Sequence, residues 1–392
     1  MNKTIIASAL AAAMFVPAAS AVEVYKDEKN SMSIGGFIDA RVYNGQGETE
    51  LVNGASRINF GFDRQMDNGW AAFAKFEWGV NPFGNSEIVY NSDSRFESSS
   101  DEFLNNRLGY VGLSHDVYGS LSLGKQWGVW YDLVGATNNP IVWDGNASGT
   151  YTYNKADGAI NGTGRGDKTI QYRNTFGKFS LGVQMQLKQN SFDLVVDDPT
   201  IQPINGLVTT SSIGSVEYGN TFGLSAMYQV TDKFNVGVAF NTGEFDADLI
   251  GGASFKARDE IYGIGVTYGG WDEKGFHFAA NYNENEFHDT DNLGRMIESG
   301  RGLESLVAYN FDNNIRIFAA YNVLDADTIM TAEEGEVFKR QFMTAGVHYT
   351  WDNNIILYLE GRLDNSDFSG PNEAAQKIGE EDGIGFGIRY IL

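Results

Sequence analysis

The chain of 392 residues carries four histidines, 51 acidic side chains and no cysteine, and that inventory limits the chemistry open to it. Without a thiol there is no sulfur nucleophile, no disulfide and no thiolate ligand for a metal. His115, His277, His288 and His348 form neither a His-x-x-x-His nor a His-Glu-x-x-His pair, the spacings that place two imidazoles on one side of a helix to hold zinc. Asp289, Asp291 and Gly294 match the first half of a calcium loop, but Leu293 and Gly300 stand at its fifth and twelfth positions. That excludes an EF-hand and leaves at most weak divalent binding in an acidic outer loop. No helical pattern follows Gly263-Ile264-Gly265 or Gly383-Ile384-Gly385, so strand glycines account for them better than a nucleotide loop does. A hydrolase needs a serine or a water held by a histidine and a carboxylate, and no local motif supplies that set. The expectation is therefore no enzyme, no cofactor and no metal.

The charged side chains that do stand out are spaced by two. Lys75 and Glu77, and likewise Glu360 and Arg362, fall on one face of their segments. Trp70, Ala72, Ala74, Phe76 and Trp78 share the opposite face of the first, and Ile315, Ile317, Ala319, Tyr321 and Val323 form a matching apolar row opposite Arg316 and Asn322. Side chains alternate across a strand, so these are amphipathic strands. A charge facing lipid at mid-membrane costs up to ~2–4 kcal/mol. The polar faces must therefore look at water or at one another, and they line a lumen.

The same alternation repeats along the chain and predicts an all-β transmembrane antiparallel barrel of about sixteen strands. They are expected near 32–43, 55–64, 70–80, 104–115, 120–126, 167–174, 178–188, 221–230, 234–244, 259–268, 275–287, 303–311, 315–325, 338–350, 355–363 and 384–392. Connections alternate between short turns rich in Asp, Asn and Gly, such as 116–119 and 312–314, and long loops near 44–54, 81–103, 127–166, 189–220, 245–258, 288–302, 326–337 and 364–383. Short periplasmic turns with long extracellular loops are the pattern of outer-membrane barrels. The third long loop carries Trp130, Tyr131, Val134, Ile141, Val142 and Trp143, too much apolar surface for a solvated loop of that length. It is expected to pack against the inner wall.

Residues 1–21, with Lys3, an apolar run from Ile5 to Val16 and the exit Ala19-Ser20-Ala21, form a secretory signal peptide. The apolar run is too short for a membrane-spanning helix, and residues 22–392 make one barrel domain with no linker to divide it. A formal net charge of −23 disfavours nucleic acid and favours cations, including divalent ions that bridge lipopolysaccharide.

Several segments resemble the general trimeric porins of Gram-negative outer membranes. These are Asn106-Arg107-Leu108-Gly109-Tyr110-Val111-Gly112-Leu113, Gly119-Ser120-Leu121-Ser122-Leu123-Gly124-Lys125-Gln126-Trp127-Gly128, Tyr131-Asp132, Gln171-Tyr172-Arg173-Asn174 and the closing Gly385-Phe386-Gly387-Ile388-Arg389-Tyr390. The resemblance implies a homotrimer in the outer membrane, in contact with lipid and lipopolysaccharide. It also implies passive diffusion of ions and small hydrophilic solutes, with the third loop folded inside. By motif, Arg57, Lys125 and Arg173 match the family's basic wall row, and Asp144 and then Asp132 are the candidate acids on the loop. Lys125 falls in phase with Leu121 and Leu123, so a bulge at Gly124 is needed to turn it inward. The family's loop pattern is only partly present as Pro140-Ile141-Val142-Trp143-Asp144-Gly145, and Leu392 stands where members of the family end in Phe. A sugar-specific channel would show an aromatic slide, for which Trp130, Trp143, Tyr151 and Tyr153 are the candidates; an adhesin would use the long acidic loops.

Overall fold

The computed structural model describes residues 21–45, 48–82, 88–91, 94–98, 103–152, 157–197, 210–249, 254–377 and 380–392. The expected signal peptide, Ala21 apart, lies outside them, as does Tyr153. Sixteen strands form the barrel: β1 (Asn30–Gly45), β2 (Arg57–Gln65), β3 (Trp70–Val80), β4 (Leu104–His115), β5 (Gly119–Trp127), β6 (Arg165–Phe176), β7 (Phe179–Gln186) and β8 (Thr210–Gln229), then β9 (Phe234–Leu249), β10 (Ser254–Tyr268), β11 (Gly275–Glu286), β12 (Ile297–Asn310), β13 (Ile315–Ile329), β14 (Val337–Trp351), β15 (Ile355–Asp364) and β16 (Gly383–Ile391). Each pairs antiparallel with its sequence neighbour among these sixteen, and β16 pairs back onto β1 to close the ring. Closure leaves no free barrel edge, the condition for a sheet to cross lipid.

Alternation sorts the side chains as the sequence requires. Val111, Leu121, Leu123, Val183, Val238, Ile264, Ile317, Leu359 and Ile388 are exposed on the outside, while Asp39, Glu77, Gln184, Asn281, Glu304 and Glu360 are buried inside. The turns at the short-loop end use backbone conformations that asparagine and aspartate tolerate, with positive φ at Asn68, Asn314, Asp352 and Asn353.

Several strands run further toward the long-loop end than the alternation predicted: β8 begins at Thr210 rather than near 221, β9 continues to Leu249 and β12 starts at Ile297. Above the lipid the outward face need not be apolar, and it carries ion pairs instead. Lys256 meets Asp246 at 2.7 Å, Arg258 meets Glu244 at 2.7 Å and Arg301 meets Asp325 at 3.1 Å. Short strands also occur at Val22–Lys26, Glu48–Asn53, Ile88–Asn91, Ser94–Ser98, Phe192–Asp197 and Asp367–Ser369. The first lies beside the lower part of β1, on the side where β16 covers the upper part.

The outer face of β2 is aromatic. Phe60 packs edge-on to Trp78, and Phe62 on Phe76, whose ring stacks on Trp78. The irregularity near Lys125 lies across from it and not at Gly124 as expected: β5 runs in unbroken register with β4 through Gly124, whose φ is +135°, while on β6 Asp167 and Lys168 stand between Gly166 and Thr169 opposite Lys125 alone. The shift lets Lys125 reach Asp167 across the pair at 2.8 Å.

Candidate functional site

The connection from β5 to β6 enters the barrel and lies on its inner wall. It opens with a short helix, α1 (Tyr131–Val134), beside which Val129 and Trp130 have no exposure at all. Their seats are glycines on the inward faces of successive strands. A methyl group at Gly263 or Gly265 of β10 would come within 3.0 Å of Trp130 or 2.9 Å of Leu133, and one at Gly223 of β8 within 2.9 Å of Val129. The far limb crosses to the other side of the ring, where Val142 and Trp143 lie against Gly385 and Gly383 of β16 at 2.9 and 2.7 Å on the same measure. Trp143 also packs on Tyr43 of β1, with ring centroids 5.7 Å apart. The two Gly-Ile-Gly motifs thus provide close backbone approach for this loop.

Two buried wall carboxylates hold it. Glu304 on β12 accepts the Ala147 and Ser148 amides at 2.9 and 2.8 Å and the Thr137 hydroxyl at 2.5 Å. Glu360 on β15 accepts the Ile141, Val142 and Trp143 amides at 2.7, 2.9 and 3.4 Å, and lies 2.7 Å from Nε2 of His348. Wall amides complete the attachment. Asn283 donates to Ala147 O at 2.9 Å, Asn241 to Asn161 O at 2.9 Å and Gln184 to Gly162 O at 2.8 Å. A loop bound in this way is held against the inner wall from both sides of the ring.

The predicted charges fall around this loop in three groups. Arg173 on β6 is ion-paired with Asp132 of α1, and Asp132 also accepts Ser225 of β8 at 2.8 Å. Lys125 bridges Asp167 at 2.8 Å and Asp157 at 3.8 Å, and Asp157 lies 3.4 Å from Arg165. Arg57 on β2 stands over the Phe37 ring at 4.6 Å and lies 3.9 Å from Glu77, which holds Arg107 at 3.0 Å. Asp144 lies on the far limb, between Trp143, seated against Gly383, and Gly145, which faces Glu304. Arg57, Lys125, Arg173 and Asp132 each keep between 13% and 20% of the side chain exposed.

A sequence model of the Gram-negative porin family matches residues 7–379. The chain belongs to that family. Outer membrane protein F of Serratia marcescens is 22% identical, covering 100% of this chain and 99% of its own length. Outer membrane porin N of Escherichia coli K12 is 23% identical over all of both chains. Among solved structures, Salmonella typhi OmpF, in complex with daunomycin, superposes with a TM-score of 0.66 at 18% identity, covering 95% of this chain and 100% of that one. The porin is thus a barrel of the cell outer membrane.

Sequence reasoning missed much of what surrounds the porin's loop. Arg41, Arg107, Arg165 and Arg389 are further buried or half-buried cations, and Arg57 lies within electrostatic reach of the last three. Arg107 and Arg389 stand inside the quoted motifs, so their inward phase was legible; Glu304 and Glu360 looked like any other lumen acid. In the half calcium motif the Asp291 carboxylate is already engaged. Asp291 accepts from Leu293 N, Arg295 N, Arg295 Nε and Gln376 Nε2 at 2.7–3.0 Å, so N–H donors already fill both of its oxygens. Trp130, Trp143 and Tyr151 are 2% exposed or less and present no ring face to a solute.

Proposed function

We propose that this porin is a water-filled diffusion channel for ions and small hydrophilic solutes, narrowed at mid-barrel by residues 128–164 and selective for cations. The observation that carries the reading is the inserted loop itself, held on the wall by Glu304 and Glu360 and flanked by partly exposed charges. Arg57, Lys125 and Arg173 are the basic groups of the narrowing, and Asp132 and Asp144 its acidic ones. The formal net charge of −23 supports the cation preference, since an acidic entrance focuses field lines and concentrates counter-ions. Burial of the loop aromatics speaks against a sugar slide.

The working form is a homotrimer in contact with lipid and lipopolysaccharide. The aromatic cluster of Phe60, Phe62, Phe76 and Trp78 on the outer face suits burial against a neighbouring subunit. Unheated detergent gels should show a species about three times the monomer mass, and a monomer at every concentration refutes the trimer. Liposome swelling tests the channel: rates should fall smoothly with solute size and ignore sugar identity. A rate that tracks one sugar overturns the non-specific reading, and no swelling overturns the channel.

A further inference from the structure

His288 lies in the connection between β11 and β12 with no exposed surface. Its Nδ1 is 2.6 Å from Asp259 Oδ1 on β10, and its Nε2 is 2.7 Å from the carbonyl of Gly149 on the inserted loop. The carbonyl can only accept. Asp259 also accepts the Tyr218 hydroxyl at 2.7 Å and the Asn161 amide, from the same inserted loop, at 3.1 Å, a set of donors that suits an ionised carboxylate. A neutral imidazole offers one N–H and an imidazolium two, so both contacts are satisfied together only when the ring is charged. None of the other three histidines has this arrangement. His115 Nδ1 accepts the Val117 amide, His277 Nδ1 faces Gly269 O, and His348 meets Glu360 through Nε2 alone. Gly149 is shaped to the contact: its φ is +72°, and a methyl group there would come within 2.1 Å of Ile261 and 3.1 Å of His288 Nε2.

We propose that His288, as an imidazolium bridging Asp259 on the wall and Gly149 on the inserted loop, is the positioning residue for the returning limb of that loop, and that its deprotonation releases the limb. This rests on the channel reading above. The groups that face the ring are Asp259 from β10, Asp289 from its own loop with Arg340 3.7 Å behind it, and the Tyr218 hydroxyl bound to Asp259 from β8. Burial, the largest single influence, disfavours the cation, but Asp259 and the two hydrogen bonds outweigh it and raise the ring above its ordinary value. A histidine raised in the fold stabilises fully below its unfolded value of ~6.5 and loses that contribution as pH rises through the folded value. The limb is therefore clamped below the ring's unfolded value and freed as pH rises through the raised folded value.

Two measurements test this. In micelles at pH 6, ¹⁵N-histidine spectra should show both nitrogens of His288 protonated, the resonances being assigned by their absence from His288→Gln; a single protonated nitrogen overturns the proposal. In planar bilayers, open-channel closures should be rare at pH 6 and rise in alkali, with the clamped-to-released ratio changing roughly ten- to a hundredfold, as expected for a hydrogen bond to a charged group. His288→Gln, whose amide donates without titrating, should flatten the profile. A flat wild-type profile, or an unchanged one in His288→Gln, overturns the clamp. Absence of any conductance at pH 6 counts instead against the channel, and the spectra then still decide the clamp.

Discussion

Asp132 carries two attachments at once, to Arg173 on β6 and to Ser225 on β8, so its charge fixes α1 and also contributes to the field in the lumen. Asp132→Asn removes one negative charge there and should move the reversal potential toward anions, whereas Arg173→Ala should move it toward cations. Charges ~4 Å apart interact with about 1 kcal/mol in bulk water and about 4 kcal/mol at an effective dielectric near 20, so sites at the narrowing should dominate. Asp144→Lys should likewise favour anions more than Glu333→Lys in an outer loop, whose effect should vanish in 1 M salt, where the Debye length is ~3 Å. Equal responses would place the loop outside the permeation path. Glu336 gives a pH prediction outside the membrane. Burial pushes its carboxyl up, but Asn372 and Arg295, the latter 2.7 Å away, outweigh this and hold it below the usual carboxylate range. Stability from such a group is present above the unfolded value of ~4.3 and lost as pH falls through the lower folded value. Radical footprinting at Met296, buried beside Arg295, should stay constant from pH 7 to 5 and rise in stronger acid. Glu336→Gln should abolish that rise, and constant labelling down to pH 2 would refute the link.

The inserted loop is held by both shape and charge, and the two can be separated by mutation. Gly265→Val forces a methyl toward Leu133; overpacking of this kind costs ~1–3 kcal/mol and should displace α1 toward the pore axis. Single-channel conductance should fall while the heat-dependent gel mobility of the folded barrel is kept. Gly361→Ala, where the nearest atom lies at 3.8 Å, should be silent. Glu360→Gln sets an amide against three loop N–H groups and should raise current noise without changing assembly. Such elements were legible in the sequence to different degrees. The strands from Trp70 to Val80 and from Ile315 onward could be read because lipid on one side and water on the other impose a period of two. The outer ends of β8, β9 and β12 could not, because no lipid bounds them and paired charges replace the apolar row. The wall glycines were visible as residues, but their purpose depends on which loop residue the closed ring brings over them. For the same reason Glu304 and Glu360 could not be told from other lumen acids.

At the scale of the molecule, the net charge of −23 should make the reversal potential cation-selective in dilute salt and nearly neutral in concentrated salt, as screening shortens the reach of the entrance charges. Anion selectivity in dilute salt would refute this. The ring closes where β16 meets β1, between residues 350 apart in the chain: Arg389 Nε sits 2.7 Å from Asp39 Oδ2, and Tyr358 donates to Asp39 Oδ1 at 2.6 Å. Asp39 and Arg389 are direct cross-strand partners. A slip of one residue at this seam would turn every side chain of the last strand to the other surface. It would take Arg389 away from the buried Asp39 and leave that carboxylate with Arg41, 3.4 Å away on its own strand, as its one cation among the described residues. The seam should therefore act as a register check when the ring closes, one frame being favoured over its neighbours. Asp39→Asn should remove that discrimination, and refolding into lipid should then yield a mixture of closed forms where the wild type gives one.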